Sequence, residues 1–386
     1  MRQYQKIFYL STIVTLILSC SRKTISFDYD GHIYVKIKKI NNKKVNGNFI
    51  YDTGAPFFYL DSSFCVENKI KFKNIQKGII GGIGNGTKNT YKIKDTVTYA
   101  FEKIKNYSDN STILNFKSIL GKNADGILGV NSFNNKSHKI DYVKREISLI
   151  DNFNGYDKIK FEFKNYRILV PLEIRFSNNR YIKGSFLLDT GSSITCLTSN
   201  HNIDNIEQIQ YLSTGGTGGE TKGFTTYADE IMIGNYKILK HLIDISEDTS
   251  GSLSSTDYAG IIGNDVLDNF DLIIDLKQNY IYIKPNEKFN IHRKFLFKSF
   301  SYIDRTDIDD SWLINYIYID TDAYKNGLRL NDKVIAIDGE LVKNLDRLNF
   351  YKNLKIDQKL EFTVIREGKT IKINFALNKF LALCLL

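Results

Sequence analysis

Two Asp-Thr-Gly triplets carry the side chains of this 386-residue sequence that are best suited to chemistry. Asp52 stands in FIYDTGAP and Asp189 in FLLDTGSS, each directly after three apolar residues. A lone carboxylate at the end of a strand is a modest general base. Two carboxylates within hydrogen-bonding distance cannot both ionise cheaply, so they share one proton. The ionised member can then deprotonate a bound water while the protonated member hydrogen-bonds a substrate carbonyl.

The two triplets belong to an internal repeat. Three segments recur in one order and at similar spacing: GNFIYDTGAPFFYL (47–60) with GSFLLDTGSSITCL (184–197), ADGILGVNSF (124–133) with YAGIIGNDVL (258–267), and IDYVKREISL (140–149) with IDLKQNYIYI (274–283). Chance does not account for three matches in the same order. We therefore predict a duplicated unit, with a first repeat at 27–160 and a second repeat at 161–286.

The elements around the triplets are predicted to be strands. Short runs rich in Ile, Val, Tyr and Phe alternate with polar residues and are separated by Asn, Gly and Asp. HIYVKIKKINNKKVNGNFIYD predicts a strand, an Asn-Asn turn and a second strand, and RILVPLEIRFSNNRYIKGSFLLD repeats that design. Gly54 and Gly191 permit turns that would bring the triplets close together. The hydroxyls of Thr53 and Thr190 are then expected to bond the backbone of the opposite turn.

The paired triplets, together with Ile127-Leu128-Gly129 and Ile261-Ile262-Gly263, resemble the aspartic protease family of pepsins and retroviral proteases. The resemblance implies a mostly β, bilobal acid-protease fold with two pseudo-symmetric lobes. It also implies an aspartic endopeptidase in which Asp52 and Asp189 are catalytic and water attacks the peptide bond. The residues that would support the dyad are Thr53, Gly54, Thr190, Gly191 and Ser192. A peptide or protein substrate is expected, without a metal or cofactor, and the active site would be complete in a monomer.

Two Gly-rich strings occupy equivalent places in the repeats. GIIGGIGNG at 78–86 resembles the flap of retroviral proteases, and STGGTGGETKG lies at 213–223 in the second repeat. A lid needs glycines for hinge freedom and for close approach of its backbone to substrate. The alternative is a flexible surface loop. The expected flap and substrate-binding residues are Ile80, Gly81, Gly82, Ile83, Gly84, Gly215, Gly216, Gly218 and Gly219.

The triplets differ in the residue that follows them. Ser192 follows the second triplet, as in pepsins, whereas Ala55 follows the first. A hydroxyl that donates to a carboxylate lowers the pKa of that carboxyl. We therefore predict that the Ser192 hydroxyl bonds Asp189, that Asp189 is ionised and that Asp52 carries the shared proton.

A third segment at 295–380 resembles a bacterial PDZ domain, which implies a small α+β fold. The matching residues are Ala323, Gly327-Leu328, 331–335 and Ile337-Asp338-Gly339. QKLEFTVIREGKTIKINFAL at 358–377 predicts a closing hairpin with Glu367-Gly368 in the turn. A peptide ligand would add as a strand. The expected carboxylate-gripping loop near 310–313 has no Gly, which disfavours capture of a peptide C-terminus. The alternative is a structural cap on the protease.

The N-terminus has the pattern of a lipoprotein signal peptide at 1–20. Arg2 and Lys6 precede an apolar stretch that is too short to span a bilayer comfortably. Ile17-Leu18-Ser19-Cys20 resembles a lipobox, which implies lipidation at Cys20. The expected location is exported, anchored to the membrane of the bacterial cell envelope through lipid, and periplasm-facing. The alternative is a simple anchor helix with an incidental Cys.

Composition excludes several classes of function. The formal charge is +10, but the lysines are scattered singly, so a nucleic-acid partner is not expected. Beyond Cys20 the sequence has Cys65, Cys196 and Cys384, an odd and sparse set that argues against a disulfide framework, and CxxC and HExxH motifs are absent. Two alternatives to the protease remain: a non-catalytic protein that binds peptide in the same cleft, and a structural β protein whose Asp residues cap turns. The two intact triplets favour the enzyme.

Overall fold

The computed structural model describes residues 24–377 apart from 85, 103, 178–179, 202–205, 207, 217, 292–298 and 356. The predicted signal peptide, Cys20 and Cys384 lie outside the described residues. The chain is mostly β, which confirms that prediction, and its strands form two large sheets of 15 and 14 strands. In the described part of the chain, no helix is both long and apolar enough to cross a membrane.

The first repeat consists of short strands with two brief helices and one 3-10 turn. The strands are β1 (Thr24–Tyr29), β2 (Ile33–Ile40), β3 (Lys43–Tyr51), β4 (Phe58–Asp61), β5 (Ile75–Ile80), β6 (Lys88–Ile93), β7 (Val97–Ala100), β8 (Lys105–Ser108), β9 (Ser111–Leu114), β10 (Gly126–Leu128), β11 (His138–Asp141), β12 (Glu146–Leu149) and β13 (Asp157–Lys160). The helices are α1 (Ser62–Glu67) and α2 (Lys117–Leu120), and the 3-10 turn is Val130–Phe133.

The second repeat has the same character, with longer strands near its Gly-rich string. Its elements are β14 (Glu162–Lys164), β15 (Arg167–Arg175), β16 (Tyr181–Leu188), β17 (Cys196–Leu197), β18 (Ile209–Gly215), β19 (Gly219–Ile233), β20 (Tyr236–Ser246), a 3-10 turn (Ser252–Ser254), β21 (Gly260–Ile262), α3 (Asn264–Leu267), β22 (Phe270–Asp275) and β23 (Tyr280–Pro285).

The third segment adds six strands and two helices around a separate core. They are β24 (Phe300–Arg305), β25 (Ser311–Tyr318), α4 (Asp322–Lys325), β26 (Lys333–Ile337), β27 (Glu340–Leu341), a 3-10 turn (Val342–Asn344), α5 (Arg347–Asn353), β28 (Lys359–Arg366) and β29 (Lys369–Ala376). The core includes Phe300, Trp312 and Phe362. Residues 306–310 form the loop that joins β24 to β25. Of the stretch 310–313, where the carboxylate-gripping loop was expected, only Asp310 lies in that loop, because Ser311–Leu313 lie inside β25 and pair with β24.

Two of the predicted turns are present where the sequence placed them. Asn41 and Asn42 join β2 to β3 with φ of 45° and 63°. Glu367 and Gly368 join β28 to β29, also with positive φ. Asn and Gly tolerate the left-handed backbone that a two-residue hairpin turn requires. The second Asn-Asn pair, at 178–179, lies outside the described residues.

The strands beneath the two triplets are arranged identically. In the first repeat, β10 pairs in parallel with β3 and antiparallel with β4, and β4 pairs in parallel with β9. In the second repeat, β21 pairs in parallel with β16 and antiparallel with β17, and β17 pairs in parallel with β20. The Gly-apolar-apolar-Gly segments supply β10 and β21, so they back the triplet strands.

The two repeats are joined by a shared set of six strands in the order β13-β23-β22-β11-β12-β1. The two repeats interleave in this set, because β22 and β23 of the second repeat lie between β13 and β11 of the first. A single apolar core runs through both repeats, from Phe27 and Phe49 to Phe186 and Phe270. Burial of this core fixes the position of one triplet relative to the other.

Candidate active site

The two Asp-Thr-Gly turns meet at the centre of the molecule through their threonines. The backbone N–H of Thr53 donates to Thr190 Oγ1 at 3.1 Å, and that of Thr190 donates to Thr53 Oγ1 at 3.0 Å. Each hydroxyl in turn donates across the junction, Thr53 to the carbonyl of Leu188 and Thr190 to that of Tyr51. Both threonines are fully buried. The predicted hydroxyl-to-backbone bonds are thus present and reciprocal.

The glycines of the triplets allow each turn to lie against the opposite carboxyl group. A Cβ on Gly54 would stand 2.5 Å from Asp189 Cγ, and a Cβ on Gly191 would stand 2.2 Å from Asp52 Cγ. Both separations are far below a van der Waals contact. Glycine is therefore needed here because of close approach, and any side chain would push the carboxyl groups apart.

Asp52 and Asp189 are hydrogen-bonded to each other. Burial raises the pKa of both carboxyls, and the neighbouring Asp189 carboxylate raises the pKa of Asp52 further. Asp189 accepts the hydrogen bond from Asp52 and the Gly191 N–H at 2.9 Å, and these bonds oppose the effect of burial on its pKa. The pair therefore holds one proton, on Asp52, over the range in which two separate aspartates would both be ionised.

The predicted contact of the Ser192 hydroxyl with Asp189 is wrong. Ser192 Oγ donates instead to the carbonyl of Ile194 at 2.7 Å, which closes a local turn. The backbone N–H of Ser192 contributes to the lowering of the Asp189 pKa. Backbone N–H groups lower the pKa of both carboxyls, so the difference between their pKa values arises from their mutual hydrogen bond, from the charge of Asp189 acting on Asp52 and from His32 near Asp189.

The two Gly-rich strings form opposed hairpins whose tips touch. Hairpin 1 is β5 and β6, and hairpin 2 is β18 and β19. The N–H of Gly218 donates to the carbonyl of Ile83, and the N–H of Gly86 donates to the carbonyl of Gly218, both at 2.7 Å. Gly216 also lies against Ile83, and Gly215 pairs with Gly219 where hairpin 2 closes.

The remaining expected residues of hairpin 1 lie along its tip. Gly82 accepts a hydrogen bond from the N–H of Ser252, and Gly84 packs against the backbone of Gly218. Gly81 is exposed. All of the expected glycines therefore lie at or beside the junction of the two tips.

Two apolar clusters lie beside the dyad, and the sequence did not reveal most of their members. The first cluster is Tyr34, Ile50, Tyr59, Leu114, Phe116, Ala124 and Ile127, with Ile80 packed on it. The second cluster is Leu169, Leu187, Cys196, Leu253, Tyr258 and Ile261, with Ile83 packed on it. Hairpin 1 thus reaches over both clusters. The sequence indicated only the apolar residues directly before the triplets and those within the Gly-apolar-apolar-Gly segments.

One further residue of the junction was missed. Asn264 is fully buried, and its side-chain amide donates to the carbonyls of Thr190 and Gly31 at 2.7 and 2.8 Å. Tyr142 donates to the Asn264 side-chain oxygen. Asn264 thereby ties the second triplet to the chain of the first repeat. Its position directly after Gly263 was the available signal.

Comparison with known proteins adds no family assignment. No protein-family model matches the sequence, and no curated protein matches it. Within the described ranges, no three His, Cys, Asp or Glu side chains come together in a group that could hold a metal ion.

Proposed function

We propose that the protein is an aspartic endopeptidase. The observation that carries the proposal is the hydrogen-bonded pair of Asp52, which is partly buried, and Asp189, which is buried, held by reciprocal threonine bonds across a pseudo-two-fold axis. A monoprotonated carboxyl pair is the group needed for general acid and base catalysis on a single water molecule. The related arrangement of both repeats supports a bilobal acid-protease fold, complete in one chain.

The two aspartates have different roles in the proposed reaction. Asp189, ionised, removes a proton from a water molecule placed between the carboxyls, and Asp52 donates its proton toward the carbonyl oxygen of the peptide bond. We expect an extended peptide to lie between the hairpin tips and the dyad, where backbone groups can pair with it as with an added strand. The apolar clusters on either side are suited to hold apolar substrate side chains flanking the bond.

The proposal also includes roles for the N-terminal segment and for the third segment. Export and lipidation at Cys20 would hold the enzyme at a membrane of the cell envelope. The third segment, whose alternating strands and short helices are compatible with a PDZ-like fold, would lie beside the cleft. Asn331 supports that comparison, since it takes the left-handed conformation, with φ of 68°, at a place where Gly is commoner in such domains.

The test uses the full-length chain purified in mild detergent. It is incubated with a diverse peptide mixture from pH 3 to pH 8, beside Asp52→Asn, Asp189→Asn and the matched control Asp28→Asn, whose side chain is exposed on β1. We expect internal cleavages with wild type and with the control, and none with either dyad variant. Cleavage that survives in both dyad variants contradicts the proposal. Retention of peptides without cleavage by wild type favours a binding protein instead.

A further inference from the structure

The two hairpins differ in what lies along their outer strands. In hairpin 2, β18 pairs with β25 of the third segment, with Tyr211 opposite Tyr318, Leu212 opposite Ile317 and Ser213 opposite Tyr316. In hairpin 1, the equivalent strand β5 pairs with β6 alone within the described residues. Residues 75–79 of β5 are exposed, with Ile79 73% exposed, and Ile80 at the end of the strand is partly buried. Hairpin 2 is therefore an interior part of a sheet, whereas hairpin 1 is an edge.

Side chains strengthen the pairing of β18 with the third segment. The rings of Tyr211 and Tyr316 stack with centroids 4.9 Å apart, and Leu212 packs against the core of the third segment. The N–H of Ile319 donates to the carbonyl of Gln210 at 3.2 Å. These contacts combine backbone pairing with apolar burial, so separation of β18 from β25 exposes both.

Beneath this pairing, a buried polar cluster links the third segment to the base of hairpin 2. Asp244 on β20 accepts hydrogen bonds from Thr225 on β19 and, at 3.3 Å, from the hydroxyl of Tyr316. Tyr318 also contacts Thr225. The titratable groups that interact electrostatically with this carboxyl are Cys196, Tyr211, Asp265, Tyr316 and Tyr318.

The other side of the third segment is fixed to the body of the first repeat. The N–H of Lys122 donates to the carbonyl of Asp304 on β24 at 2.8 Å, and its ammonium pairs with the Asp304 carboxylate at 3.0 Å. Arg347, the first residue of α5, pairs with Asp30 at 2.8 Å. The third segment thus bridges the first repeat and hairpin 2.

Hairpin 1 is held in place by fewer contacts. Its tip accepts backbone hydrogen bonds from Gly218 and Ser252, and Ile80 and Ile83 cover the two apolar clusters. An opening motion of hairpin 1 about its base, where β6 stays paired with β9, breaks these contacts and the bond from the Gly86 N–H to the Gly218 carbonyl. An equal motion of hairpin 2 breaks the tip contacts and also the β18–β25 pairing.

We propose that the third segment is a strap that fixes hairpin 2, so that hairpin 1 alone opens to admit substrate and release product. The strap is a property of the fold, and its effect on turnover rests on the proposed peptidase function. In this arrangement residues 316–318 of β25 pair with β18 of hairpin 2, so a peptide ligand cannot add as a strand at that edge.

The direct test locks each contact with a disulfide in the full-length chain. Ser213→Cys with Tyr316→Cys joins hairpin 2 to the third segment at directly opposed positions. Ile83→Cys with Gly216→Cys joins the two tips, where a Cβ on Gly216 would lie 3.2 Å from Ile83 Cβ. Peptide cleavage is compared before and after reduction for each variant, with wild type treated identically.

We expect the oxidised strap lock to cleave peptides within about twofold of its reduced form, and the oxidised tip lock to lose at least about tenfold, with recovery on reduction. A strap lock that inactivates, or a tip lock that does not, overturns the proposal.

Hydrogen exchange tests the strap without reference to activity. In wild type we expect the amides of 75–80 to exchange at least about tenfold faster than those of 209–215. Leu212→Asp should raise exchange at 209–215 toward the rate of hairpin 1, while its matched control Ile79→Asp leaves 209–215 unchanged. Unaltered exchange in β2 and β3 shows that the variant is folded. Equal exchange of the two hairpins in wild type overturns the strap. If wild type cleaves no peptide but exchange is unequal, the peptidase proposal fails and the strap stands.

Discussion

Hairpin 1 and hairpin 2 meet over the same two aspartates, yet their surroundings are different. In hairpin 1 the outer edge of β5 has no strand partner among the described residues, and Ile75 and Ile79 are exposed, whereas hairpin 2 is continuous with the sheet of the third segment. At the triplets the repeats match bond for bond, through Thr53 and Thr190. The repeats are thus symmetric at the two carboxyls. The hairpins are not symmetric, because hairpin 2 is paired with the third segment, and the strap proposal requires only hairpin 1 to open.

The two repeats also differ in the side chain at one pair of equivalent strand positions. Thr112 on β9 pairs with Tyr59 on β4, and Asp244 on β20 pairs with Cys196 at the equivalent place in the second repeat. Thr112 is partly buried, whereas Asp244 is buried beneath the tyrosines of the third segment. The second repeat therefore contacts the third segment through a buried side chain, Asp244, as well as through the backbone of β18.

The symmetry at the dyad predicts the largest effect, and an equal one in the two repeats. Thr53→Val or Thr190→Val removes a buried hydroxyl and leaves one N–H and one carbonyl of the opposite turn unpaired. We expect each to reduce the free energy of unfolding by about 3–5 kcal/mol. Urea unfolding followed by circular dichroism measures this, with Thr53→Ser and Thr190→Ser as controls that keep the hydroxyl. Losses of unfolding free energy that differ widely between the two variants would contradict the symmetry of the junction.

The next effect belongs to the second repeat alone. Burial raises the pKa of Asp244 from its ordinary value of 3.8 to about 7. The folded protein keeps this proton to higher pH than the unfolded chain, so its contribution to stability is greatest below pH 4 and declines as pH rises toward 7. Each pKa unit corresponds to about 1.4 kcal/mol, and we expect a decline of up to about 4 kcal/mol.

Asp244→Asn removes that titration and should make the decline between pH 4 and pH 8 shallower by up to about 4 kcal/mol, leaving the part that the raised pKa values of Asp52 and Asp189 contribute. Unfolding free energies in half-unit steps of pH, for wild type and variant, provide the measurement. Thr112→Asn is the matched control in the first repeat and should leave the profile unchanged. Parallel profiles for wild type and Asp244→Asn would show that titration of Asp244 does not affect the stability of the protein.

The smallest effect is expected at Ser192, where the two triplets differ in sequence but not in contacts to the carboxyls. Because Ser192 Oγ bonds the carbonyl of Ile194, Ser192→Ala should leave the acidic limb of the pH–rate profile unmoved. The change in unfolding free energy should be below about 1 kcal/mol, the value of one partly exposed hydrogen bond. A shift of that limb would show that the hydroxyl reaches Asp189 when substrate is bound.

The sequence allowed the dyad to be predicted because its determinants are short and repeated. A triplet needs only Asp, Thr and Gly in order after an apolar strand, and the second copy fixed which two aspartates belong together. Asn41-Asn42 and Glu367-Gly368 were equally readable, since a left-handed turn restricts the residue types that can form it. The glycine strings were located correctly for the same reason, as glycine marks close approach of backbones.

Other features depended on residues far apart in the chain. The apolar clusters combine strand residues with Leu253 and Tyr258, which follow no periodic pattern. The partner of the Ser192 hydroxyl was misjudged because two acceptors lay within reach and only the turn geometry decides between them.

The amino-acid sequence by itself determined the duplication, the β character of the repeats, and the two aspartates with their threonine and glycine supports. Only the tertiary structure decided which hairpin is held. Pairing of β18 with β25 uses backbone N–H and carbonyl groups that every residue carries, so the side-chain sequence does not specify the partner strand. That choice depends on where the third segment lies when Lys122 and Asp30 of the first repeat bind it, which is a property of the whole fold.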